Sequence, residues 1–298
     1  MNSLNDKDEM FEALLEYLQQ NHGFHITGYK RPTIMRRVSK RMKMLGIEDF
    51  GRYTGYLRVH PEEFPELFNT ILINVTSFFR DPEAWDYLAK AILHKIIAEK
   101  KEENHTIKIW NAGCASGEES YTIAMVLAEA LGDDVFRRMV KIYATDIDEI
   151  ALAQARQGTY KAADLQEISS PLREKYFEPA EDNFEFRRDL RRSILFGRHD
   201  LLKDPPISKL DLLVCRNTLM YFNSGAQKKI VANFHFALND KGYLFLGKSE
   251  LLLSHYNLFT PVDKRYRIFS KVRNVNSRDR LLILTQASYH EAVNHPGS

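Results

Sequence analysis

The sequence predicts an α/β protein in which a doubly wound, mostly parallel sheet follows an all-α N-terminal domain and is interrupted by a small antiparallel β insertion. Three observations carry this reading. Apolar residues recur at helical spacing through positions 1–75, with no strand signal among them. From Ile107 onward, short apolar runs alternate with helical segments, the rhythm of βα units. Between 159 and 199 that rhythm breaks into short alternating runs around charged turns. A chain of 298 residues with 44% hydrophobic content can bury one large core or two ordinary ones.

Taken in chain order, helical spacing is clearest over 10–18, 34–45 and 64–73, inside an N-terminal domain assigned to 1–75. The main domain is assigned to 76–271, with strands near 107–111, 141–145, 210–215 and 242–247. The stretch 265–271, R-Y-R-I-F-S-K, alternates like a strand and is expected to return antiparallel at the sheet's edge. The insertion, 159–199, contains F-E-F-R-R-D-L-R-R-S-I-L-F-G-R; the competing reading is an irregular loop with a helix over 170–176. From 272 to 298 the pattern lapses, and the segment reads as a tail or a linker to another domain.

The most telling stretch is 107–122, I-K-I-W-N-A-G-C-A-S-G-E-E-S-Y-T, an apolar strand that passes through small residues into an acidic helix start. Backbone N–H groups at such a turn suit an anion, yet Glu118 and Glu119 would repel a pyrophosphate. A cationic nucleoside fits instead, and S-adenosylmethionine carries adenosine, sulfonium and ammonium without phosphate. The segment 141–148, K-I-Y-A-T-D-I-D, ends a second strand in Asp146, placed to accept hydrogen bonds from two ribose hydroxyls. Asp148 is the better candidate to cap the helix that follows.

Composition excludes several classes. Forty-two basic and forty acidic residues leave a net charge of +2, so any electrostatic partner must meet a local patch. No apolar run approaches a membrane span, and the opening M-N-S-L-N-D-K-D-E-M lacks the apolar core of a signal peptide; a cytoplasmic location without membrane insertion is expected. Cys114 and Cys215 have no framework spacing, the histidines no ligand spacing, and no metal is expected. The patch itself lies in 29–45. There Ile34, Val38, Met42 and Leu45 form an apolar stripe, while Lys30, Arg31, Arg36, Arg37, Lys40, Arg41 and Lys43 load the remainder with positive charge. Arg36, Arg37, Lys40 and Arg41 are the expected docking residues for an acidic partner, and no nucleic-acid motif accompanies them.

Three strings, N-V-T-S-F-F-R-D at 74–81, A-G-C-A-S-G-E-E at 112–119 and C-R-N-T-L-M-Y-F at 215–222, stand in an order and spacing that resembles the chemotaxis receptor glutamate methyltransferases, the CheR family. The likeness runs over about residues 8–271. It implies an all-α N-terminal domain and a Rossmann-like S-adenosylmethionine-dependent methyltransferase domain with a small antiparallel subdomain. Cofactor contacts are implied at Asn74, Thr76, Arg80, Glu118, Asp146, Arg216 and Asn217, with Arg80 and Tyr221 nearest the transferred methyl. Where similar proteins often place Asn before Leu, this chain has Asp200 and Leu201, held as further cofactor contacts. Asn74 and Thr76 also suit helix capping, Asp81-Pro82 reads as a cap with a first-turn proline, and Phe78 and Phe79 read as core.

The implied reaction moves the methyl of S-adenosylmethionine onto a receptor glutamate, leaving S-adenosylhomocysteine. Glutamate, with a reference pKa of about 4.3, is ionised at neutral pH and needs no general base. The implied partner is the cytoplasmic helical region of a chemoreceptor or a related signalling protein, met by the basic helix and, as a second contact, by the insertion. Other signalling domains in cis are compatible with the tail. Three rival readings remain at this level: a non-catalytic module that binds S-adenosylmethionine or S-adenosylhomocysteine, a methyltransferase acting on a non-receptor acceptor, and nucleic-acid binding through the basic helix, which predicts a steep salt dependence.

Overall fold

In the computed structural model the described residues are 2–22, 28–72, 74–103, 105–250 and 258–273. Two compact units divide the chain: Met1–Ile73 with Tyr221–Ala226, and Asn74–Met220 with Gln227–Ser298. The expected tail lies outside the described residues from 274 onward.

The first unit holds α1 (Asn2–His22), α2 (Arg31–Met44), α3 (Phe50–Val59) and α4 (Glu63–Ile71). Their apolar stripes meet in one cluster, with Phe11, Leu14 and Leu18 of α1 against Ile34, Val38 and Met42 of α2 and Phe50, Tyr53 and Leu57 of α3. The sequence pattern passed over α3 because Gly51 and Gly55 dilute it, although Phe50, Tyr53 and Leu57 keep helical spacing and Asp49 caps the helix by accepting the Arg52 N–H at 2.8 Å. The segment 221–226 joins this unit through backbone bonds, the Lys30 N–H to the Tyr221 carbonyl and the Asn223 N–H to the Gly28 carbonyl, each 2.8 Å.

Two of the four expected docking cations leave the outward face. Arg41 donates to the buried Glu63 through Nε and Nη2, at 2.8 and 2.7 Å, and the Tyr53 hydroxyl donates to the same carboxylate at 2.7 Å. Burial alone would raise the Glu63 carboxyl, but these bonds hold it below its usual value. Arg37 is 8% exposed; its guanidinium donates to the Ile71 carbonyl at 2.6 Å, closing the end of α4, and lies 5.5 Å from the Tyr221 ring. Arg36 and Lys40 remain exposed, and Lys43 joins them one turn further on.

The second unit opens with α5 (Pro82–Tyr87), a π-helical stretch (Leu88–Leu93) and α6 (His94–Glu103). There follow β1 (Ile107–Ala112), α7 (Glu118–Leu131), α8 (Asp133–Met139), β2 (Val140–Asp146), α9 (Glu149–Gln157) and β3 (Thr159–Tyr160). Then come α10 (Ser170–Tyr176), β4 (Phe177–Ala180), β5 (Asn183–Phe186), α11 (Arg188–Arg191), β6 (Ile194–Arg198) and β7 (Leu210–Cys215). The chain closes with α12 (Ser224–Ala237), β8 (Leu238–Leu246), β9 (Phe259–Asp263) and β10 (Ile268–Lys271). The main sheet runs β6-β2-β1-β7-β8-β10-β9, parallel from β6 through β8 and antiparallel at β10 and β9. Winding starts at β1, proceeds to β2 and β6, then reverses to β7 and β8, so the carboxyl ends of β1 and β7 flank the topological switch point. Every residue of β7 is buried, as a central parallel strand requires.

Three expectations shift in detail. The run at 194–198 falls within the insertion by its sequence pattern but pairs parallel with β2, Ile142 beside Ile194 through Asp146 beside Arg198, and is an edge strand of the main sheet. The insertion proper is β3-β5-β4, and the helix at 170–176 coexists with these strands instead of replacing them. The closing strand β10 is covered by β9, whose Pro261 obscured it in the sequence and is tolerated because β9 is the edge.

Glu63→Gln is expected to destabilise the helical unit by about 2 kcal/mol, because it removes the charge from two short bonds to a half-buried guanidinium and leaves that group only the exposed Glu66, 3.6 Å away. Urea unfolding followed by circular dichroism checks this against Arg36→Gln, which should stay close to the native chain.

Candidate functional site

The turn from β1 to α7 is built by backbone conformations that side chains resist. Gly113 (φ 78°), Ala115 (φ 47°) and Gly117 (φ 96°) all sit in the left-handed region. A Cβ on Gly117 would stand 2.9 Å from the Ala155 Cβ and 3.1 Å from the Tyr160 hydroxyl, so glycine is needed for packing as well as for conformation. The turn is pinned to β2: the N–H groups of Gly113 and Cys114 donate to the Thr145 carbonyl at 2.8 and 3.0 Å, and the Ala115 N–H donates to Asp146 Oδ2 at 2.8 Å. The other Asp146 oxygen accepts the Asp148 N–H at 3.0 Å. Asp148 caps α9 by accepting from Ile150 and Ala151, and it also receives the Asn74 amide at 2.6 Å.

Charge is arranged unevenly around this turn. Glu118, the first residue of α7, is 7% exposed and shares the Ser116 hydroxyl between its two oxygens at 2.9 and 2.8 Å. Burial pushes its carboxyl up, and desolvation likewise raises Asp146, which the backbone N–H groups only partly offset. Both acids thus hold negative charge at some cost while bonded to neutral donors. Glu119 is different: burial raises it too, but Arg216 Nη1 donates to Oε2 at 3.2 Å and Asn111 donates to Oε1 at 2.7 Å.

Arg216 and Asn217 follow the end of β7. The Arg216 side chain is 2% exposed, its second nitrogen donates to Asp81 Oδ2 at 2.7 Å, and the guanidinium lies 4.8 Å from the Phe245 ring and 5.4 Å from that of Trp85. Asn217 takes φ 59°, and its buried Oδ1 has no hydrogen-bond partner among the described residues. Glu250 fixes this turn, accepting the N–H groups of Thr218 and Leu219 on one oxygen, at 2.9 and 2.8 Å, and that of Gly247 on the other at 2.5 Å. Arg80 donates to the Val75 carbonyl at 2.6 Å, and Thr76 beside it is half-buried. Asp200 accepts the Leu202 N–H at 2.9 Å in a local turn, a bond that an Asn side-chain oxygen would make equally, and Leu201 is 9% exposed. Tyr221 belongs to the helical unit.

Residues 74–268 match the family model of the CheR methyltransferase S-adenosylmethionine-binding domain, and 9–72 match that of the CheR methyltransferase all-alpha domain. The chain belongs to the CheR methyltransferase family. Among relatives, an uncharacterized 104.1 kDa protein of Rhodobacter capsulatus is 34% identical over 89% of this chain, which spans only 28% of that protein's length. A chemotaxis protein methyltransferase of Borreliella burgdorferi is 34% identical over 85% of the chain and 91% of its own length. The chemotaxis protein methyltransferase of Escherichia coli is 30% identical over 91% of the chain and 92% of its own length. This CheR chain is therefore an S-adenosylmethionine-dependent methyltransferase, and its residues fit that cofactor: among the described residues Glu118 and Asp146 are hydrogen-bonded by neutral donors, and Asn217 holds an unbonded buried acceptor.

Three organising residues of the CheR site escaped the sequence reading. In sequence Glu119 reads only as loop charge, Glu250 lies outside all three family-like strings, and Asp81 reads as a cap. Asp81 does precede Pro82 at the start of α5, but with φ 60° and no side-chain cap; its carboxylate goes to Arg216 and Lys248 instead. The only advance signals were the pairing of two adjacent glutamates on α7 and an acid four residues beyond the end of β8.

Burial pushes the Glu250 carboxyl up to about 7, against the backbone N–H bonds that favour its charged form. The proton is held more tightly folded than unfolded, so this stabilisation is fully present below the unfolded value of 4.5 and is lost as pH rises through about 7. Glu250→Gln, which does not ionise, should gain on the native chain by about 2 kcal/mol between about pH 5 and pH 8 in urea unfolding. A difference independent of pH would mean that Glu250 does not titrate there.

Proposed function

We propose that this chain esterifies glutamate side chains in the helical cytoplasmic region of a chemoreceptor or a related signalling protein, using S-adenosylmethionine and releasing S-adenosylhomocysteine. The observation that carries the reading is the pair Glu118, at the start of α7, and Asp146, at the carboxyl end of β2, whose hydrogen-bond donors among the described residues are a hydroxyl and backbone amides, with Arg80 the cation whose charge reaches Glu118. Such a site repels phosphate and suits a cationic nucleoside. The acceptor class is supported by relatives named chemotaxis protein methyltransferases.

In this reading Asp146 takes the ribose hydroxyls, Glu118 faces the cationic ligand, and Asn217 offers its free acceptor. Asn74 acts through Asp148 and Arg216 through Glu119, while Thr76, Asp200 and Leu201 frame the ligand. When bound, S-adenosylmethionine supplies an electrophilic methyl on a sulfonium. The attacking carboxylate is already anionic and the leaving group neutral, so neither a general base nor a metal is required. What the protein adds is alignment and exclusion of water. Arg80 orients the substrate carboxylate without protonating it.

Docking falls to the exposed cations of α2, Arg36 and Lys40 with Lys43, against an acidic helical surface. Arg37 and Arg41 support that face from beneath.

Isothermal titration should show binding of both S-adenosylmethionine and S-adenosylhomocysteine, lost by at least about tenfold in Asp146→Ala, the size of one charge-assisted hydrogen bond. Because Glu118 and Asp146 are raised in the free protein, a bound cation favours their ionised forms; affinity should weaken as pH falls through a range above that of ordinary carboxylates. No binding by folded protein would sink the reading. With receptor fragments, labelled methyl should enter as base-labile ester that releases methanol, and Arg36→Glu with Lys40→Glu should reduce the rate and flatten its salt dependence. Unchanged receptor methylation would refute docking through α2.

A further inference from the structure

Arg80 stands between two residues whose backbones L-amino acids seldom adopt, Phe79 at φ 47° and Asp81 at φ 60°. Such a backbone, if something prevents the segment from relaxing, fixes the direction of the Arg80 Cα–Cβ bond, and the guanidinium at the end of that side chain is then held by its bond to the Val75 carbonyl at 2.6 Å. The surroundings supply that restraint on each residue. The Phe79 N–H donates to the Thr122 hydroxyl at 3.1 Å, and that hydroxyl in turn donates to the Glu118 carbonyl at 2.8 Å. The Arg80 carbonyl accepts the Trp85 indole N–H at 3.0 Å. Asp81 makes the strongest connection, taking Arg216 Nη2 at 2.7 Å on one oxygen and Lys248 Nζ at 2.6 Å on the other.

The Lys248 side chain is 64% exposed and its pairing is the weaker of the two. Arg216 is the anchor. It is buried, wedged against the rings of Trp85 and Phe245, and tied on its far side to Glu119, which is itself held by Asn111 of β1. The strained turn is therefore fastened, through one guanidinium, to the sheet at its switch point.

We propose that Asp81 is the positioning residue for Arg80: its ion pair with Arg216 holds the 79–81 turn in its left-handed conformation and so sets the base of the Arg80 side chain, from which the guanidinium reaches the Val75 carbonyl and the methyl-transfer centre. This rests on the reading of Arg80 as the residue that orients the acceptor carboxylate. It also gives Arg216 a task distinct from ligand contact, as the link between Glu119 on α7 and the turn that carries Arg80.

The test compares Asp81→Ala, Asp81→Asn and Arg80→Ala in the full chain, with melting temperatures to establish folding. Asp81→Ala should lower kcat for receptor methylation on the order of 10²-fold, as misplacement of a catalytic group does, with the titrated Kd for S-adenosylmethionine changed by less than about threefold. Asparagine tolerates the left-handed region and keeps an acceptor for Arg216, so Asp81→Asn should restore most of kcat. Hydrogen exchange at the Phe79 amide should quicken in the alanine variant and not in the asparagine one. A folded Asp81→Ala with native kcat, or one that loses affinity and kcat equally, overturns the proposal. If Arg80→Ala keeps native kcat, it is the role of Arg80 that falls; if the native chain transfers no methyl to the receptor fragment, the proposed activity falls first.

Discussion

A single buried guanidinium joins the parts of the sheet unit that any ligand at the switch point would meet. Arg216 enters from the end of β7, meets Glu119 on α7 and Asp81 ahead of α5, and lies against Trp85 and Phe245. Burying a charge this deeply is favourable only when its partners are fixed and its remaining surface is covered by rings. Asn111, with the Ser120 hydroxyl on its carbonyl oxygen at 2.6 Å, steadies Glu119 from β1. The network thus converts the order of strands into the placement of side chains.

Around that network the site divides its acids by function. Glu119 is neutralised inside the protein, whereas Glu118 and Asp146 keep donors without charge. The difference follows from helix periodicity: adjacent residues at the start of α7 point about 100° apart, so one reaches Arg216 and the other stays with Ser116. Glu250 applies a comparable device to the β7 turn, satisfying backbone donors that a left-handed Asn217 would otherwise leave unpaired.

Much of the architecture was legible because it rests on local rules. Helical spacing in the first unit, the apolar runs of β1, β2, β7 and β8, and the glycine loop all follow from periodicity and backbone conformation. What escaped depends on contacts between residues far apart in sequence. The Arg41–Glu63 pair spans 22 positions, the Asp81–Arg216 pair 135, and no spacing rule reaches either. A row of seven cations looks uniform in sequence, yet packing took Arg37 to the end of α4 and Arg41 to Glu63 and left Arg36 and Lys40 outside. The edge strand β6 was hidden for a related reason: its neighbours in sequence are the insertion, while its partner in space is β2.

Asp146 uses both oxygens to hold amides on different loops, Ala115 ahead of α7 and Asp148 ahead of α9. One side chain therefore sets the distance between the two helix starts before any ligand arrives. Ordering those loops would otherwise draw on conformational entropy at the moment of association, at about 1–2 kcal/mol for each residue fixed. Here that expense is met during folding, and the free energy of contact is left for affinity.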